Sequence, residues 1–240
     1  ILARIFSQVR EKIQKLFWSL GMGDLDGTGV DSVVMSEPTA PSTLPRGRVY
    51  IDKVANGNTL LNNADFVRGP AVNSYFGDAL AVGDLDQDGY EDVIASATYN
   101  AVGTGVVYVL YGNSGWSDGD AIHTVAGATI TAAASNTRFG ASLSLAGDMD
   151  DDGNLDLVIG EPDGATGSAW LMYGPFTGSM TASASTGDQW TSTTTDAGRA
   201  VLGDVDLNND GYSEFLVGAP SDPAVVANGG RAFLFSALGD

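Results

Sequence analysis

The sequence predicts an all-β protein, a propeller-like array of about four blades preceded by a short amphipathic helix. The first observation is a repeat, since the dipeptide Gly-Asp recurs at residues 23, 83, 147 and 203. The second is composition, because short apolar runs alternate with Gly- and Asp-rich turn signals after residue 20. The third is repeat length, since each unit has room for about four strands. One small antiparallel sheet buries both of its faces only when neighbouring sheets stack on it, and stacked sheets of this kind are propeller blades.

Residues 1–20 differ from the rest of the chain in charge and in pattern. They hold four basic side chains and one acidic one, whereas the whole chain has 11 Lys and Arg against 30 Asp and Glu. Their apolar residues recur at steps of three and four, which predicts an amphipathic helix. These residues are Leu2, Ile5, Phe6, Val9, Ile13, Leu16 and Phe17. We expect the helix to pack on the same chain; contact with an anionic membrane or docking on a partner is the alternative.

The overall composition excludes several classes of function. A net charge of −19 argues against nucleic-acid binding, which needs a basic surface. The absence of Cys excludes disulfides, zinc–thiolate sites and thiol nucleophiles, and one His excludes a multi-histidine metal site. No apolar run is long enough to span a membrane. The chain begins with Ile, which predicts a processed chain or a fragment.

Two further motifs keep step with the Gly-Asp repeat. Phe-Gly occurs seven or eight residues before it, at Phe76-Gly77 and Phe139-Gly140, and an alternating apolar run such as GVVYVLYG follows it. Each unit therefore contains a strand, an acidic loop, a second strand, a turn, a third strand and a variable stretch. The variable stretch has room for one more strand, such as the one expected around His123. We expect residues 1–20 to form the lead segment and 21–240 the propeller, with blades near 21–75, 76–137, 138–195 and 196–240.

The acidic loops carry the chemistry of the sequence. Counted from the first Asp, three loops place side-chain oxygens at positions 1, 3, 5 and 9, Gly at position 6, and a backbone carbonyl at position 7. Alternate residues of a tight loop point oxygens at one centre, and six or seven oxygens favour Ca²⁺ over Mg²⁺. The alternative, a set of solvated acidic turns, is disfavoured because unshielded like charges repel one another. The predicted ligands are Asp84, Asp86, Asp88, Tyr90 and Asp92; Asp148, Asp150, Asp152, Asn154 and Asp156; and Asp206, Asn208, Asp210, Tyr212 and Glu214.

A fourth loop is weaker, so the sequence predicts about three Ca²⁺ sites with a fourth possible. It has Asp24 and Asp26, but Thr28 stands at position 5 and Ser32 at position 9. None of the four loops is an EF-hand, since an EF-hand loop has 12 residues and enters a helix. These loops close at position 9 and enter β-branched or apolar runs, which predicts connections between strands.

The order of these motifs resembles the FG-GAP repeats that build the β-propeller of integrin α subunits and of many bacterial surface or secreted proteins. The motifs are Phe-Gly, then Gly-Asp-x-Asp-x-Asp-Gly-x-x-Asp, then a strand end such as Val-Gly-Ala-Pro at 217–220. The resemblance covers about residues 21–240 and implies a propeller with Ca²⁺ in the loop between the first two strands of a blade. The sequence departs from the family pattern in the first repeat, which lacks Phe-Gly, and in the fourth repeat, which has Ala197-Gly198 in its place.

The resemblance and the lack of a recognisable catalytic set favour a calcium-stabilised interaction module that binds a protein or glycan ligand at a cell surface or outside the cell. Trp116 and Trp190 lie in variable stretches and are candidates for ligand contact; packing inside the blades is their alternative role. A second hypothesis is a non-catalytic part of a secreted enzyme of the polysaccharide lyase or phospholipase type. If the chain were itself catalytic, His123 is its one imidazole, and a lyase could use Lys53 or Arg138 as the base. A third is a structural repeat scaffold, with further blades in a larger protein. We expect no catalytic residues in this chain.

Overall fold

The computed structural model describes residues 18–40, 45–53, 65–99, 104–112, 115–163, 166–193, 196–222 and 229–236. The regular secondary structure of the described chain consists almost wholly of strands, which form four sheets. Along the chain, each sheet begins with its inner strand and adds antiparallel neighbours outward. The prediction of an all-β array of four blades is therefore confirmed.

The blades follow the sequence repeats. The first contains β1 (Leu20–Gly23), β2 (Ser32–Glu37), β3 (Arg48–Lys53) and β4 (Asp65–Arg68). The second contains β5 (Phe76–Gly83), β6 (Asp92–Ala97), β7 (Val106–Leu110) and β8 (Ala128–Thr131), with the one-turn helix α1 (Ile122–Val125) before β8. The third contains β9 (Ser142–Gly147), β10 (Asp156–Glu161), β11 (Ser168–Met172) and β13 (Gly187–Thr191). The fourth contains β14 (Ala200–Val205), β15 (Glu214–Ala219) and β16 (Arg231–Ser236).

One strand crosses between blades. Strand β12 (Gly178–Thr181) comes from the third repeat, yet it pairs in parallel with β8 and makes the sheet of the second blade five-stranded. The boundary expected between the second and third blades is thus crossed by a segment of the later repeat.

Two local expectations differ from the structure. His123 was expected in a strand, but it lies exposed in α1, and the strand of that stretch begins at Ala128. The reason is local, because Thr124 and Ala126 donate backbone hydrogen bonds to Ala121 and Ile122 and close one helical turn. The lead helix was expected over residues 1–20, and residues 1–17 lie outside the described residues. Its expected last residue, Leu20, belongs to β1.

The blades pack face to face through apolar cores. Between the first and second blades lie side chains such as Val34, Ile51 and Val93, and between the second and third lie side chains such as Ile94 and Leu157. A third core joins the third and fourth blades. Strands such as β6 and β10 are buried along their whole length, which explains why their sequences are apolar on both faces.

The Phe-Gly motif is the contact that sets one blade on the next. Phe76 and Phe139 are fully buried, and the glycine after each has a φ near +90°. A Cβ at Gly77 would stand 2.6 Å from the Cβ of Ser36, on the preceding blade. A Cβ at Gly140 would stand 2.7 Å from the Cβ of Ser96 in the same relation. These glycines are therefore required both by backbone conformation and by close approach.

The fourth repeat keeps this contact although it has Ala in place of Phe. Gly198 has a φ of +85°, and its N–H donates to Gly218 at 3.0 Å, as Gly140 donates to Gly160 at 3.0 Å. Ala197 is fully buried. The departure from Phe-Gly therefore changes the volume of the side chain and leaves the backbone geometry unchanged.

The two end blades expose apolar side chains on their outer faces. Gly21 and Gly23 of β1 face Val82 of the second blade, so Leu20 and Met22 point the other way and are exposed. Leu202 and Leu234 are exposed in the fourth blade. Within the described residues, no helix is long and apolar enough to cross a membrane.

Candidate metal centre

The four acidic loops occupy equivalent places, each between the first and second strands of its blade. In every loop the residue before position 1 pairs with the residue at position 9, which closes a hairpin. The four pairs are Gly23–Ser32, Gly83–Asp92, Gly147–Asp156 and Val205–Glu214. In the fourth loop this register is reached through a bulge between Leu202 and Val205, with Asp204 at a φ of +59°. The bulge explains why the acidic series begins at Asp206 there, two residues later than the repeat spacing suggests.

The loops also share a backbone conformation. Position 6 is Gly in all four, with φ between +76° and +92°, and a Cβ there would meet no atom within 4 Å. The requirement for Gly at this position is thus one of backbone angle and not of space. Position 4 is left-handed too, at Gly27, Gln87, Asp151 and Asn209. Sequence reasoning missed position 4 because four different residue types occupy it, and only one of them is glycine.

The carboxylate at position 1 holds each turn together. The N–H of the position-6 glycine donates to it at 2.7 Å in the first loop, 3.0 Å in the second, 2.8 Å in the third and 3.0 Å in the fourth. The position-7 N–H donates to the position-5 carboxylate at 2.9 Å from Tyr90, 2.8 Å from Asn154 and 2.9 Å from Tyr212. Such Asx-type bonds fold the loop so that the remaining side-chain oxygens face inward.

The carboxylate at position 9 is a buried anchor as well as a predicted ligand. Asp92 accepts backbone hydrogen bonds from Leu85 and Gly112, both at 2.8 Å. Asp156 accepts from Met149 at 2.8 Å and from Gly174 at 2.9 Å. Burial raises the pKa of Asp92 from its usual 3.8 to about 7 and that of Asp156 to about 6, against the opposing effect of these N–H donors. Both oxygens of each group therefore already bind the protein backbone.

Two groups of carboxylates converge closely enough to hold one cation. Oxygens of Asp84, Asp86 and Asp88 lie within 4.8 Å of one another, and so do those of Asp148, Asp150 and Asp156. The first group joins positions 1, 3 and 5, and the second joins positions 1, 3 and 9. Burial and the adjacent carboxylates raise the pKa of Asp86 and Asp150, as expected for like charges held together.

Buried oxygens without a partner indicate that the loops suit a cation. Oδ1 of Asp84 is buried and accepts no hydrogen bond in the described structure. Oε1 of Glu214, a residue only 3% exposed, is in the same state, while its other oxygen accepts from Leu207 at 2.7 Å. Buried acceptors are normally satisfied, and a hard cation with oxygen ligands satisfies such atoms. The donor set, carboxylates with Asn208 and backbone carbonyls, consists of oxygen ligands of the type that Ca²⁺ prefers.

The first loop keeps the turn and lacks the anchor. Thr28 donates from its N–H and its hydroxyl to Asp26, at 3.3 and 2.8 Å, so the hydroxyl is already engaged. With Ser32 at position 9, the N–H of Leu25 donates to the carbonyl of Gly23 instead. This loop therefore offers fewer free charged oxygens than the other three.

The two tryptophan candidates for ligand contact pack between blades. Trp116 packs against the core of the first and second blades. The ring of Trp190 lies 4.5 Å from that of Phe233 and 5.5 Å from that of Phe235, in the third core. These contacts favour the alternative packing role that the sequence left open.

A cavity of about 730 Å³ lies at the opposite end of the first two blades. It is lined by the connections that follow β2 and β6 and that precede β5 and β9, whereas the acidic loops join first to second strands. Tyr75 and Tyr99 meet edge to face at 5.6 Å, and Arg138 approaches Asp78 at 3.4 Å. The other lining residues are Trp18, Pro38, Thr39, Asn73 and Thr98. Sequence reasoning missed this cavity because its residues come from four separate connections.

Three segments match the family described as FG-GAP repeat, at residues 76–110, 139–172 and 197–235. They correspond to the second, third and fourth blades, and each includes one acidic loop. The first blade lies outside these segments although its loop has the same backbone.

The chain is also similar to integrin α chains. It is 28% identical over 197 residues to integrin alpha-PS5 of Drosophila melanogaster, covering 78% of this chain and 19% of that protein. It is 28% identical over 192 residues to integrin alpha-7 of Homo sapiens, covering 78% and 16%. It is 27% identical over 215 residues to integrin alpha-6 of Gallus gallus, covering 86% and 19%. The chain therefore spans less than a fifth of the length of these relatives.

Proposed function

We propose that the chain is a calcium-stabilised interaction module of the cell surface or the extracellular space, because three of its segments match the FG-GAP repeat and it is similar to integrin α chains. Its ions rigidify the acidic loops, and its ligand is a protein. Calcium sites of extracellular modules have dissociation constants of about 10⁻⁴–10⁻³ M, so they fill at the Ca²⁺ concentration found outside cells. The proposal gives the chain no catalytic role.

The observation that supports the metal sites best is the buried, unpartnered Oδ1 of Asp84 within the group formed with Asp86 and Asp88. Three carboxylates so close together repel one another unless a cation lies between them. The same loop backbone around Asp148 and Asp206 supports two further sites. The carbonyls of Tyr90, Asn154 and Tyr212 and the side chains of Asp152, Asn208 and Asp210 complete the proposed ligand sets. Asp24, Asp26 and Thr28 form the weaker fourth candidate.

The test compares two neighbouring substitutions in the third loop. Asp150→Ala removes a proposed ligand oxygen together with its charge, whereas Asp151→Asn removes an equal charge at position 4, which the ligand pattern does not use. Asn also tolerates the left-handed φ of +60° at residue 151. Calorimetric titration with Ca²⁺ should lose one site in Asp150→Ala and keep every site in Asp151→Asn. Equal stoichiometry in the two variants would contradict the ligand assignment.

For the ligand surface we propose the cavity opposite the acidic loops. Exposed aromatic side chains beside a charged pair are typical of protein contact surfaces, which are enriched in Tyr, Trp and Arg. Beads coated with the chain and applied to a cell monolayer in Ca²⁺ should adhere several-fold less when Tyr99→Ala is introduced. Val30→Ala, an exposed apolar residue at the acidic-loop end, is the control and should leave adhesion unchanged. Equal adhesion of Tyr99→Ala and the unmodified chain would exclude this surface, and glycan-stripped cells test whether the ligand is a glycan instead.

A further inference from the structure

The outer face of the first blade is the one that points away from the second blade. Its side chains alternate with Val34 and Ile51, which lie in the core between these two blades. On β1, β2 and β3 they are Leu20, Met22, Val33, Met35, Tyr50 and Asp52. Met35 is only 8% exposed, yet it belongs to none of the three cores that the described residues form. This face is therefore mainly apolar and carries one carboxylate.

The carboxylate of Asp52 departs from the pattern of the other blades. Asp52 pairs across the sheet with the residue that follows position 9 of the acidic loop. The residues at the same place in the other three blades are Leu110, Met172 and Phe235. All three are apolar and pack in the core shared with the preceding blade. A further blade of the same kind would bury the charge of Asp52 against apolar side chains, which is costly, so the face suits a different occupant.

Asp52 is buried and lacks a partner among the described residues. It is 6% exposed, its Oδ2 accepts no hydrogen bond, and burial raises its pKa above the usual 3.8. The other charged groups nearby on this face have partners. Arg48 donates to the hydroxyl of Tyr50 at 3.3 Å, and that hydroxyl donates to Glu37 at 3.1 Å. Buried carboxylates are normally paired, so Asp52 calls for a basic side chain.

Residues 1–17 lie outside the described residues, but the point where they join the first blade is described. Trp18 donates to the carbonyl of Ser36 at 3.1 Å, at the end of β2. From Ser36, the carboxylate of Asp52 lies three residues along the sheet and one strand across, which is roughly 11 Å. A helix rises about 1.5 Å per residue, so about seven residues before Trp18 reach Asp52.

The predicted helix places basic residues at that distance. Its apolar stripe consists of Leu2, Ile5, Phe6, Val9, Ile13, Leu16 and Phe17. At about 100° per residue, Arg10 and Lys12 lie at the two borders of this stripe, whereas Arg4 and Lys15 lie on the opposite side. A basic side chain at the border of an apolar stripe packs its stem on apolar surface and leaves its charged end available to a carboxylate.

We propose that residues 1–17 pack their apolar stripe on the outer face of the first blade and that Arg10 or Lys12 pairs there with Asp52. The segment holds four basic side chains and one acidic one, whereas the whole chain has a net charge of −19, so the two surfaces are complementary in charge. The packed segment also covers the exposed Leu20 and Met22. The proposal depends neither on the metal sites nor on the ligand surface.

The first experiment places a nitroxide label at residue 8 of the full chain. The chain has no Cys, so Gln8→Cys supplies a single thiol on the polar side of the predicted helix. The amide signals of Met35 and Asp52 should lose more than half of their intensity relative to the reduced label, while those of Phe215 and Val217 in the fourth blade should keep theirs. Unchanged signals of Met35 and Asp52 would overturn the proposal.

A mixed sample distinguishes this chain's own segment from that of a second copy. Isotope-labelled chain without nitroxide is mixed with an equal amount of nitroxide-bearing chain that carries no isotope. The signals of Met35 and Asp52 should then stay unchanged. Their loss in the mixed sample would show that a second copy covers the face, and it would overturn the proposal.

The second experiment tests the ion pair by urea unfolding. Arg10→Gln and Lys12→Gln are each measured in the unmodified chain and in Asp52→Asn. For the residue that pairs with Asp52, the fall in the urea midpoint should shrink by at least half in the Asp52→Asn background. Equal falls in both backgrounds for both substitutions would overturn the pairing.

Two matched controls remove the same charges elsewhere. Lys15→Gln lies on the side of the predicted helix opposite the apolar stripe, so its effect should be the same with and without Asp52→Asn. Asp65→Asn removes a carboxylate from the other face of the first blade, since Asp65 pairs with Ile51. The effects of Arg10→Gln and Lys12→Gln should therefore be the same in Asp65→Asn as in the unmodified chain. A smaller effect in Asp65→Asn as well would mean that the coupling reflects overall charge, and it would contradict the assignment to Asp52.

Discussion

Two glycines of the second blade share one backbone angle and differ in what surrounds them, so replacing each by Ala separates conformational strain from packing. Gly89 is at position 6 of the acidic loop with a φ of +91°, and Gly77 belongs to the Phe-Gly motif with a φ of +89°. A Cβ at Gly89 meets nothing within 4 Å, whereas one at Gly77 stands 2.6 Å from the Cβ of Ser36. Both substitutions impose the same strain, and only the second also forces two blades apart.

The magnitudes follow from these two contributions. A left-handed angle costs an L residue about 1–2 kcal/mol, which gives the expected loss for Gly89→Ala. Overpacking of a filled core costs about 1–3 kcal/mol, so the free energy of unfolding should fall by about that much more in Gly77→Ala than in Gly89→Ala. Relaxation is limited because Ser36 is itself fully buried.

Urea unfolding, followed by tryptophan fluorescence, measures the difference. It is carried out with excess EDTA, so that loss of metal binding at the Gly89 loop does not contribute. Equal free energies of unfolding for the two variants would refute the reasoning that the Phe-Gly glycine sets the distance between blades. A larger loss in Gly89→Ala would refute it as well.

Two further predictions concern the buried carboxylates and the third core. Because the folded-state pKa values of Asp92 and Asp156 are raised to about 7 and about 6, the folded chain keeps protons that the unfolded chain releases near pH 4. The stability of the EDTA-treated protein should therefore fall as pH rises from about 4 to 7, and a rise over that range in thermal unfolding would contradict the burial argument. Trp190→Ala should destabilise the protein by about 3 kcal/mol, because it removes the ring that contacts Phe233 and Phe235 between the third and fourth blades. Trp190→Phe keeps an aromatic ring and should lose clearly less in the same urea titration, and an unaltered midpoint in the Ala variant would show that the ring is dispensable.

The sequence alone predicts those parts of the fold that depend on local pattern. The Gly-Asp spacing gives the number of blades, and the acidic series gives the loop between the first two strands. The convergence of Asp84, Asp86 and Asp88 follows from the alternation of residues in a tight turn. The acidic loop and its converging carboxylates are encoded within nine residues and need no information about neighbouring strands.

Features that depend on distant contacts are not readable in the same way. The parallel pairing of β12 with β8 joins two repeats, and the four residues of β12, Gly-Ser-Met-Thr, show no apolar alternation that would predict it. One of the two backbone partners of Asp92, Gly112, lies 20 residues away in sequence. The placement of His123 in a strand was wrong because a single helical turn leaves the alternating pattern of the following strand almost intact. The bulge at Asp204 shifts the fourth loop by two residues, and only the pairing of Val205 with Glu214 explains the shift.

A calorimetric titration of the EDTA-stripped chain with Ca²⁺, paired with thermal unfolding with and without the ion, shows whether the acidic loops bind metal. We expect about three sites, contributed by the loops at 84–92, 148–156 and 206–214. We also expect a marked rise in unfolding temperature, because a ligand that binds only the folded state stabilises it. An absence of both heat and stabilisation at millimolar Ca²⁺ would contradict the account and would leave the acidic loops as solvated turns between strands.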